Sequence, residues 1–298
     1  MTKIYVAGGL DGNRIAESCG VDLAPKIEDA EILVTRSKTK VNKELVDKMP
    51  YLKYVITATH GIDNLDTEYL TRKGIEFHPV PAQSYDVAQG VIGYILAHAT
   101  NLVEGDRSMK RGEWKKKEFF GHRINEKTLG IIGCGKIGRN IKKMASALGM
   151  DVVTFDACVE TEESVSFEEL LRKSDYVTVN VPRTKDTINL IGKEEIEIMK
   201  EGAYIINTAR GGIVDEKALL EAIDSEKLSG AALDVFKNNS ENNLPFGDNS
   251  SGRLIAHEKV IATPHSIGQS QEAVDDKHEG VIRIIKNYIS NNNKIESE

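Results

Sequence analysis

Apolar and polar positions along the 298-residue chain follow two periods, one of strands and one of helices. Short apolar runs stand at Lys3–Ala7, Glu31–Thr35, Lys53–Ala58 and Ile75–Val80. The stretches Val41–Lys48 and Asp66–Lys73 between the later runs have helical spacing, and Gly74 stops the second. Strands alternating with helices imply a parallel sheet, so the N-terminal third reads as a small α/β domain. From Asp86 to about Arg111, apolar Val87, Ile92, Ile95, Leu96 and Leu102 predict one long helix, of a length suited to crossing between two domains. Further strands are predicted up to Gly133 and Asp156, and at Tyr176–Val181, Ala203–Asn207, Ala231–Asp234 and Val260–Ala262. Residues 237–253 read as a polar loop rich in Asn and Ser. A last helix is expected over Gln271–Ile289, with Val274, Val281, Ile282 and Ile285 on one side, and a disordered tail over 291–298.

The densest pattern lies in the middle of the chain. Leu129-Gly-Ile-Ile brings a buried strand to Gly133, and Gly133, Gly135 and Gly138 have the Gly-x-Gly-x-x-Gly spacing. Ile137, Ile141, Met144 and Leu148 follow at helical spacing, Gly149 stops that helix, and a second apolar strand ends on Asp156. The first glycine makes a tight turn, the second lets backbone approach a pyrophosphate, and the third lets helix and strand pack closely. The pyrophosphate would meet amides at the helix N-terminus, and Asp156 would accept from a ribose hydroxyl. A plain βαβ unit does not require the acid, so strand, loop, helix, strand and acid in order point to dinucleotide binding. A carboxylate at Asp156 repels a 2′-phosphate, which favours NAD over NADP.

Chemistry-bearing residues gather at the carboxyl ends of the later strands: Asp156, Val181-Pro182, Asn207-Thr-Ala-Arg210, Asp234 and Thr263-Pro-His265. Ligands of open parallel sheets bind outside those ends. A bound nicotinamide brings the hydride chemistry, so the protein must supply an acid/base and a substrate clamp. His265 titrates near neutrality and is the acid/base candidate, against a plain surface histidine beside a turn. Arg210 has the fork that pairs with a carboxylate, or it caps the turn or pairs with Asp215. Asp234 either holds the nicotinamide carboxamide or is an ordinary strand-end acid.

Composition narrows the class. Apolar residues make up 40% and charged residues 29%, as in ordinary globular proteins, and the length suggests about two domains. A net charge of −7 argues against a nucleic-acid surface, and Lys115-Lys-Lys117 reads as a solvated face. Cys19, Cys134 and Cys158 have no metal-ligand spacing and suit reduced thiols in a cytoplasmic protein. The opening residues read as a strand and not a signal peptide. The longest apolar stretch, Gly90–Ala99, is too short for a membrane span. No membrane, nucleic-acid or metal role is expected.

Taken together, the fingerprint, Asn207-Thr-Ala-Arg-Gly-Gly-Ile-Val-Asp215, Ala231-Ala-Leu-Asp-Val-Phe236 and Thr263-Pro-His265 resemble the D-isomer-specific 2-hydroxyacid dehydrogenase family. Val34-Thr-Arg36-Ser37, Gly61-Ile-Asp63-Asn64 and Asp106–Trp114 fit the same family, most like its D-3-phosphoglycerate dehydrogenase branch. The resemblance implies two Rossmann-like, doubly wound parallel-sheet domains, the nucleotide domain inserted into a split substrate domain. By position the substrate domain takes 1–98 plus 271–290 and the NAD-binding domain 99–270. It implies NAD as cofactor and a small 2-hydroxy or 2-keto acid as substrate, of the phosphoglycerate, glyoxylate, hydroxypyruvate or D-lactate type. Gly133, Gly135, Lys136, Ile137 and Gly138 would meet the pyrophosphate and Asp156 the ribose. Val181, Pro182, Thr208, Ala209, Asp234 and Gly268 would line the rest of the cofactor path. Arg210 would bind the substrate carboxylate and keto oxygen, and His265 would pass the proton. Backbone at His60 and Gly61 would hold the carboxylate, and Arg36 would face the far end of the substrate. Family members are usually dimers joined near residues 100–120, so a homodimer is implied.

The chain departs from the family in the polar loop. The family places a glutamate five residues after the aspartate of Asp-Val-Phe, directly before a proline, to orient the histidine and raise its pKa; here that position is Asn239. Either Glu241, shortly before Leu244-Pro245, takes the carboxylate role, or Asn239 orients the histidine as an amide, or catalysis is weak and the protein is an NAD-dependent sensor or binding module. Glu241 is the favoured third catalytic residue. Gln89 also replaces the acid of the usual Val-Ala-Glu, and His60 occupies a position that is often small.

Overall fold

The computed structural model describes residues 2–237 and 247–295. The chain forms two compact units, residues 1–83 with 269–298, and residues 84–268. In the first, β1 (Lys3–Val6), α1 (Gly12–Cys19), β2 (Asp22–Leu23), β3 (Ile32–Thr35), α2 (Lys43–Asp47), β4 (Tyr54–Thr57), α3 (Thr67–Arg72) and β5 (Glu76–Pro79) build a parallel sheet ordered β2-β1-β3-β4-β5. Successive residues of β3 serve opposite faces: Ile32 and Val34 pack with Ile15, while Leu33 packs with Val46, Met49 and Leu70. Burial on both faces is why the strand reads as an unbroken apolar run.

The second unit runs α4 (Ser84–Ala99), α5 (Leu102–Lys110), β6 (Thr128–Ile132), α6 (Lys136–Ala147), β7 (Asp151–Phe155), α7 (Phe167–Lys173), β8 (Tyr176–Val179), α8 (Lys193–Ile198), β9 (Ala203–Asn207), α9 (Glu216–Asp224), β10 (Leu228–Leu233), α10 (Ser250–Ala256) and β11 (Val260–Ala262). Its parallel sheet is ordered β11-β10-β9-β8-β6-β7, so the direction of winding reverses between β6 and β8. The last helix, α11 (Gln271–Ile295), returns to the first unit, where Val281, Ile282 and Ile285 pack with Ile4, Ile15 and Ile56.

Two doubly wound parallel sheets with one unit inserted in the other agree with the expected fold class; four local expectations need correction. The helix predicted over 86–111 is two helices, because Asn101 takes a left-handed conformation at φ 51 and caps the start of α5. The second unit begins at 84 and not 99, and ends at 268 and not 270. Ala88, Val91, Ile92 and Ile95 of α4 share a core with Leu129, Ile131, Ile141 and Ala145, which ties that helix to the second sheet. The predicted polar loop gives way to α10 at Ser250, capped by Asn249, whose side chain accepts from the Gly252 amide at 2.9 Å. Finally, α11 continues through residues 291–295, expected to be tail, since Ser290-Asn-Asn-Asn offers no glycine or proline stop. Among the described residues, no helix is long and apolar enough to cross a membrane.

Candidate active site

The glycine fingerprint sits where the winding of the second sheet reverses. Gly133 follows β6 with φ 98, and a Cβ there would lie 2.8 Å from Asn180 backbone and 3.0 Å from the Val181 side chain. The end of β8 therefore closes on the turn, which brings Val181 to the fingerprint, followed by the exposed Pro182. A Cβ at Gly138 would come within 2.1 Å of the Gly133 carbonyl, so helix and turn pack backbone to backbone. Gly135 is different. It is exposed, a Cβ would meet nothing within 4 Å, and it caps α6 with no side chain over the first-turn amides. Open space at a bare helix N-terminus suits an anionic group. Lys136 beside it is exposed, and Ile137 is half-buried against the α4 core.

Asp156 ties this turn to the end of β7. One carboxylate oxygen accepts from the Cys134 amide at 2.6 Å, and the other from the Cys158 and Val159 amides at 2.8 and 3.1 Å. Glycine cradle, uncapped helix and oriented carboxylate together fit a dinucleotide with a free ribose diol.

At the neighbouring strand ends, buried Asn207 shapes the arginine loop. Its amide donates to the Arg210 carbonyl at 3.1 Å and its side-chain oxygen accepts from the Ala209 amide at 3.1 Å. Thr208 is buried, and Arg210, half-buried, also donates to the Ala209 carbonyl at 2.8 Å. A Cβ at Gly211 would strike the Phe236 carbonyl at 2.0 Å, so only glycine lets this loop lie against the segment after β10.

Asp234, 2% exposed, accepts from the Thr263 hydroxyl and from the Ser266 and Ile267 amides at 2.9 and 3.3 Å. It thereby anchors the loop that presents His265, a role the sequence reading did not give it. His265 stands at φ 55, its amide bonded to the Thr263 carbonyl at 3.1 Å. The residue is exposed. Crowding by surrounding protein pushes the imidazole below its ordinary pKa, Asp234 pulls it up, and the Arg210 charge pushes it down. Burial raises the Asp234 carboxyl, while its three donors and His265 hold it back. His265 thus feels both Asp234 and Arg210 at one edge of the sheet, and buried Gly268 follows at the end of the loop. Glu241 and Asn239 lie outside the described residues.

The first unit collects its own expected residues at the carboxyl edge. Arg36 follows β3, and Asn64 donates to the Arg36 and Thr39 carbonyls at 3.2 and 3.0 Å. Thr59, after β4, donates to the Gly61 carbonyl at 2.6 Å and bonds Thr57 at 2.8 Å, fixing the turn that holds His60 and Gly61. Thr59 and Asn64 are positioning residues that sequence reasoning left without a role; polar side chains inside a glycine turn are the signal that would have found them.

Residues 92–266 match the family model described as D-isomer specific 2-hydroxyacid dehydrogenase, NAD binding domain. The chain belongs to the D-isomer-specific 2-hydroxyacid dehydrogenase family. Its second unit is the family's NAD-binding domain. The chain is 41% identical to a D-3-phosphoglycerate dehydrogenase of Methanocaldococcus jannaschii, over 92% of this chain and 55% of that one. It is 37% identical to a hydroxypyruvate reductase of Thermotoga maritima, over 85% of this chain and 82% of that one. Among solved structures, D-lactate dehydrogenase from Aquifex aeolicus, complexed with NAD and lactic acid, superimposes with a TM-score of 0.85 at 28% identity, covering 98% and 97% of the two chains. The chain spans about half the length of the phosphoglycerate dehydrogenases it matches, 55% and 48% for the two archaeal ones.

Proposed function

We propose that this protein is an NAD-dependent dehydrogenase that interconverts a small D-2-hydroxy acid and its 2-keto acid. The carrying observation is the convergence of Arg210, Asp234 and His265 at the sheet edge that also carries the glycine cradle. When bound, NADH supplies the hydride. Arg210 pairs with the substrate carboxylate and polarises the adjacent carbonyl, and His265 gives its proton to the carbonyl oxygen. Backbone at His60 and Gly61 holds the carboxylate, and Arg36 meets the far end of the substrate. Phosphohydroxypyruvate is the first candidate; hydroxypyruvate, glyoxylate and pyruvate follow from the relatives' names.

Loss of NADH absorbance with these four 2-keto acids tests the reading. Turnover with at least one is expected, falling by about 10²–10⁴-fold in His265→Gln with NADH binding retained. Measurable NADH binding with no oxidation by any of the four overturns the enzyme reading in favour of a sensor.

We further infer a homodimer. Leu102, Met109, Trp114 and Phe120 are exposed within one short stretch, the last two at 79% and 83%. Clustered apolar side chains of that size mark an interaction surface. A sedimentation experiment on Trp114→Glu/Phe120→Glu should find monomer, and an unchanged dimer would remove this face from consideration. The same reading places the protein in the cytoplasm, where free thiols such as Cys19, Cys134 and Cys158 persist.

A further inference from the structure

Beneath the histidine loop, helix α4 makes two contacts one turn apart. A Cβ at Gly90 would lie 2.2 Å from Ile267 Cγ1, so the helix backbone seats directly against the loop. Four residues on, the Tyr94 hydroxyl bonds the Thr263 hydroxyl, which in turn donates to Asp234 Oδ1. Each hydroxyl carries one proton, and that of Thr263 goes to the carboxylate. Proton accounting therefore makes Tyr94 the donor to Thr263 Oγ1. The result is a one-way chain, Tyr94 to Thr263 to Asp234, ending on the carboxylate that also accepts the Ser266 and Ile267 amides just after His265. Tyr94 is buried, 4% exposed, and touches the chemistry only through these partners.

We propose that Tyr94 is a positioning residue for His265, acting through Thr263 and Asp234 to hold the strand-end loop and to support the carboxylate charge facing the imidazole. The proposal deepens the dehydrogenase reading and rests on it for its kinetic consequences. Removing the tyrosine hydroxyl leaves Thr263 Oγ1 without its donor and weakens the support of the Asp234 charge. Because that charge favours imidazolium, its loss makes His265 harder to protonate. His265→Gln removes the proton carrier, whereas Tyr94→Phe leaves it in place but mistuned.

The test compares wild type, Tyr94→Phe, Thr263→Val and the double variant. The His265 resonance, assigned among the seven histidines by its loss in His265→Gln, is titrated by NMR. In parallel, kcat/KM for 2-keto-acid reduction is followed against pH, and NADH affinity by fluorescence. In Tyr94→Phe, His265 should titrate at lower pH, kcat/KM should fall about tenfold with its profile displaced the same way, and NADH affinity should hold. The double variant should be no worse than the poorer single, since both cut one chain. Identical His265 titration in wild type and Tyr94→Phe, multiplying losses in the double variant, or a change confined to NADH affinity each overturns the proposal. A wild type that binds NADH and reduces none of the keto acids overturns the dehydrogenase reading instead, and the titration alone then decides the role of Tyr94.

Discussion

His265 holds a left-handed backbone conformation that non-glycine residues visit rarely, and the loop keeps it there because Asp234 accepts from the groups around it. The imidazole sits below its ordinary pKa, chiefly through crowding. A reduction that needs imidazolium slows as pH rises through that pKa, so a carboxylate beside the ring extends activity to higher pH. Glu241 is the proposed carboxylate. Glu241→Gln should lower kcat/KM for reduction by about tenfold or more and move the falling limb of its pH profile to lower pH. An unchanged rate and profile, measured over the same pH range, would return the role to Asn239. The placement of such residues was legible in advance where charged or titratable side chains end strands, as Asp156, Arg210 and His265 do. Asp234 was placed at the site, but its anchoring of the loop was not visible, since its partners lie about thirty residues on and two of them are backbone amides. Tyr94 was hidden altogether: on a buried helix face a tyrosine reads as one more apolar position.

Helix α4 shows the same boundary at the level of an element. Its apolar spacing was readable, and so was its proximity to a domain crossing, but which unit owned it depends on packing. Interdigitation with α6 and β6 decides that, and no local pattern records it. The break at Asn101 was equally silent, because asparagine is tolerated inside helices and left-handed residues alike. Strands buried on both faces were the easiest elements to read, their apolar runs being a direct product of two covered faces. Glycines of α4 give a sharp check on the packing. Alanine in place of glycine within a helix normally stabilises by about 1 kcal/mol. Gly93 is exposed and a Cβ there meets nothing within 4 Å, so Gly93→Ala should raise Tm. Gly90→Ala should lower Tm and turnover together, because the new Cβ would press on Ile267 at 2.2 Å and displace the histidine loop. Thermal denaturation of the two variants separates the cases, and a rise in both would show that the loop yields without cost.

For the protein as a whole, acid stability is set in part by a polar cluster at the amino edge of the second sheet, remote in sequence from any motif. His98 Nε2 lies 3.3 Å from Ser229 Oγ, whose proton goes to the Ala203 carbonyl, so Nε2 carries the hydrogen and Nδ1 accepts from the Tyr176 hydroxyl at 3.0 Å. The same accounting makes His122 Nε2 the donor to Tyr176 at 2.6 Å. The bond that His98 Nδ1 accepts from Tyr176 requires His98 neutral, and the His98 ring also stacks on Tyr204 at 3.9 Å. Burial, with a smaller contribution from His122, pushes His98 down to about 4, and burial lowers His122 as well. The sign follows from linkage: the unfolded chain binds the proton more readily than the folded one, so stability is complete above the unfolded pKa near 6.5 and drains away as pH falls towards 4. The gap between 6.5 and about 4 corresponds to about 3 kcal/mol for His98 alone. That is a large part of a typical folding free energy. Urea unfolding at pH 7 and at pH 4.5 should show this loss, and His98→Gln, less stable at pH 7 for want of the ring's packing, should show a much shallower slope between the two. The carboxylates of the exposed ion pairs, Glu113, Glu163 and Asp275, are held below their ordinary range by their cationic partners, and what they contribute is common to wild type and His98→Gln. A slope in His98→Gln equal to that of wild type would therefore move the acid sensitivity to other histidines, His265 among them, and away from this cluster.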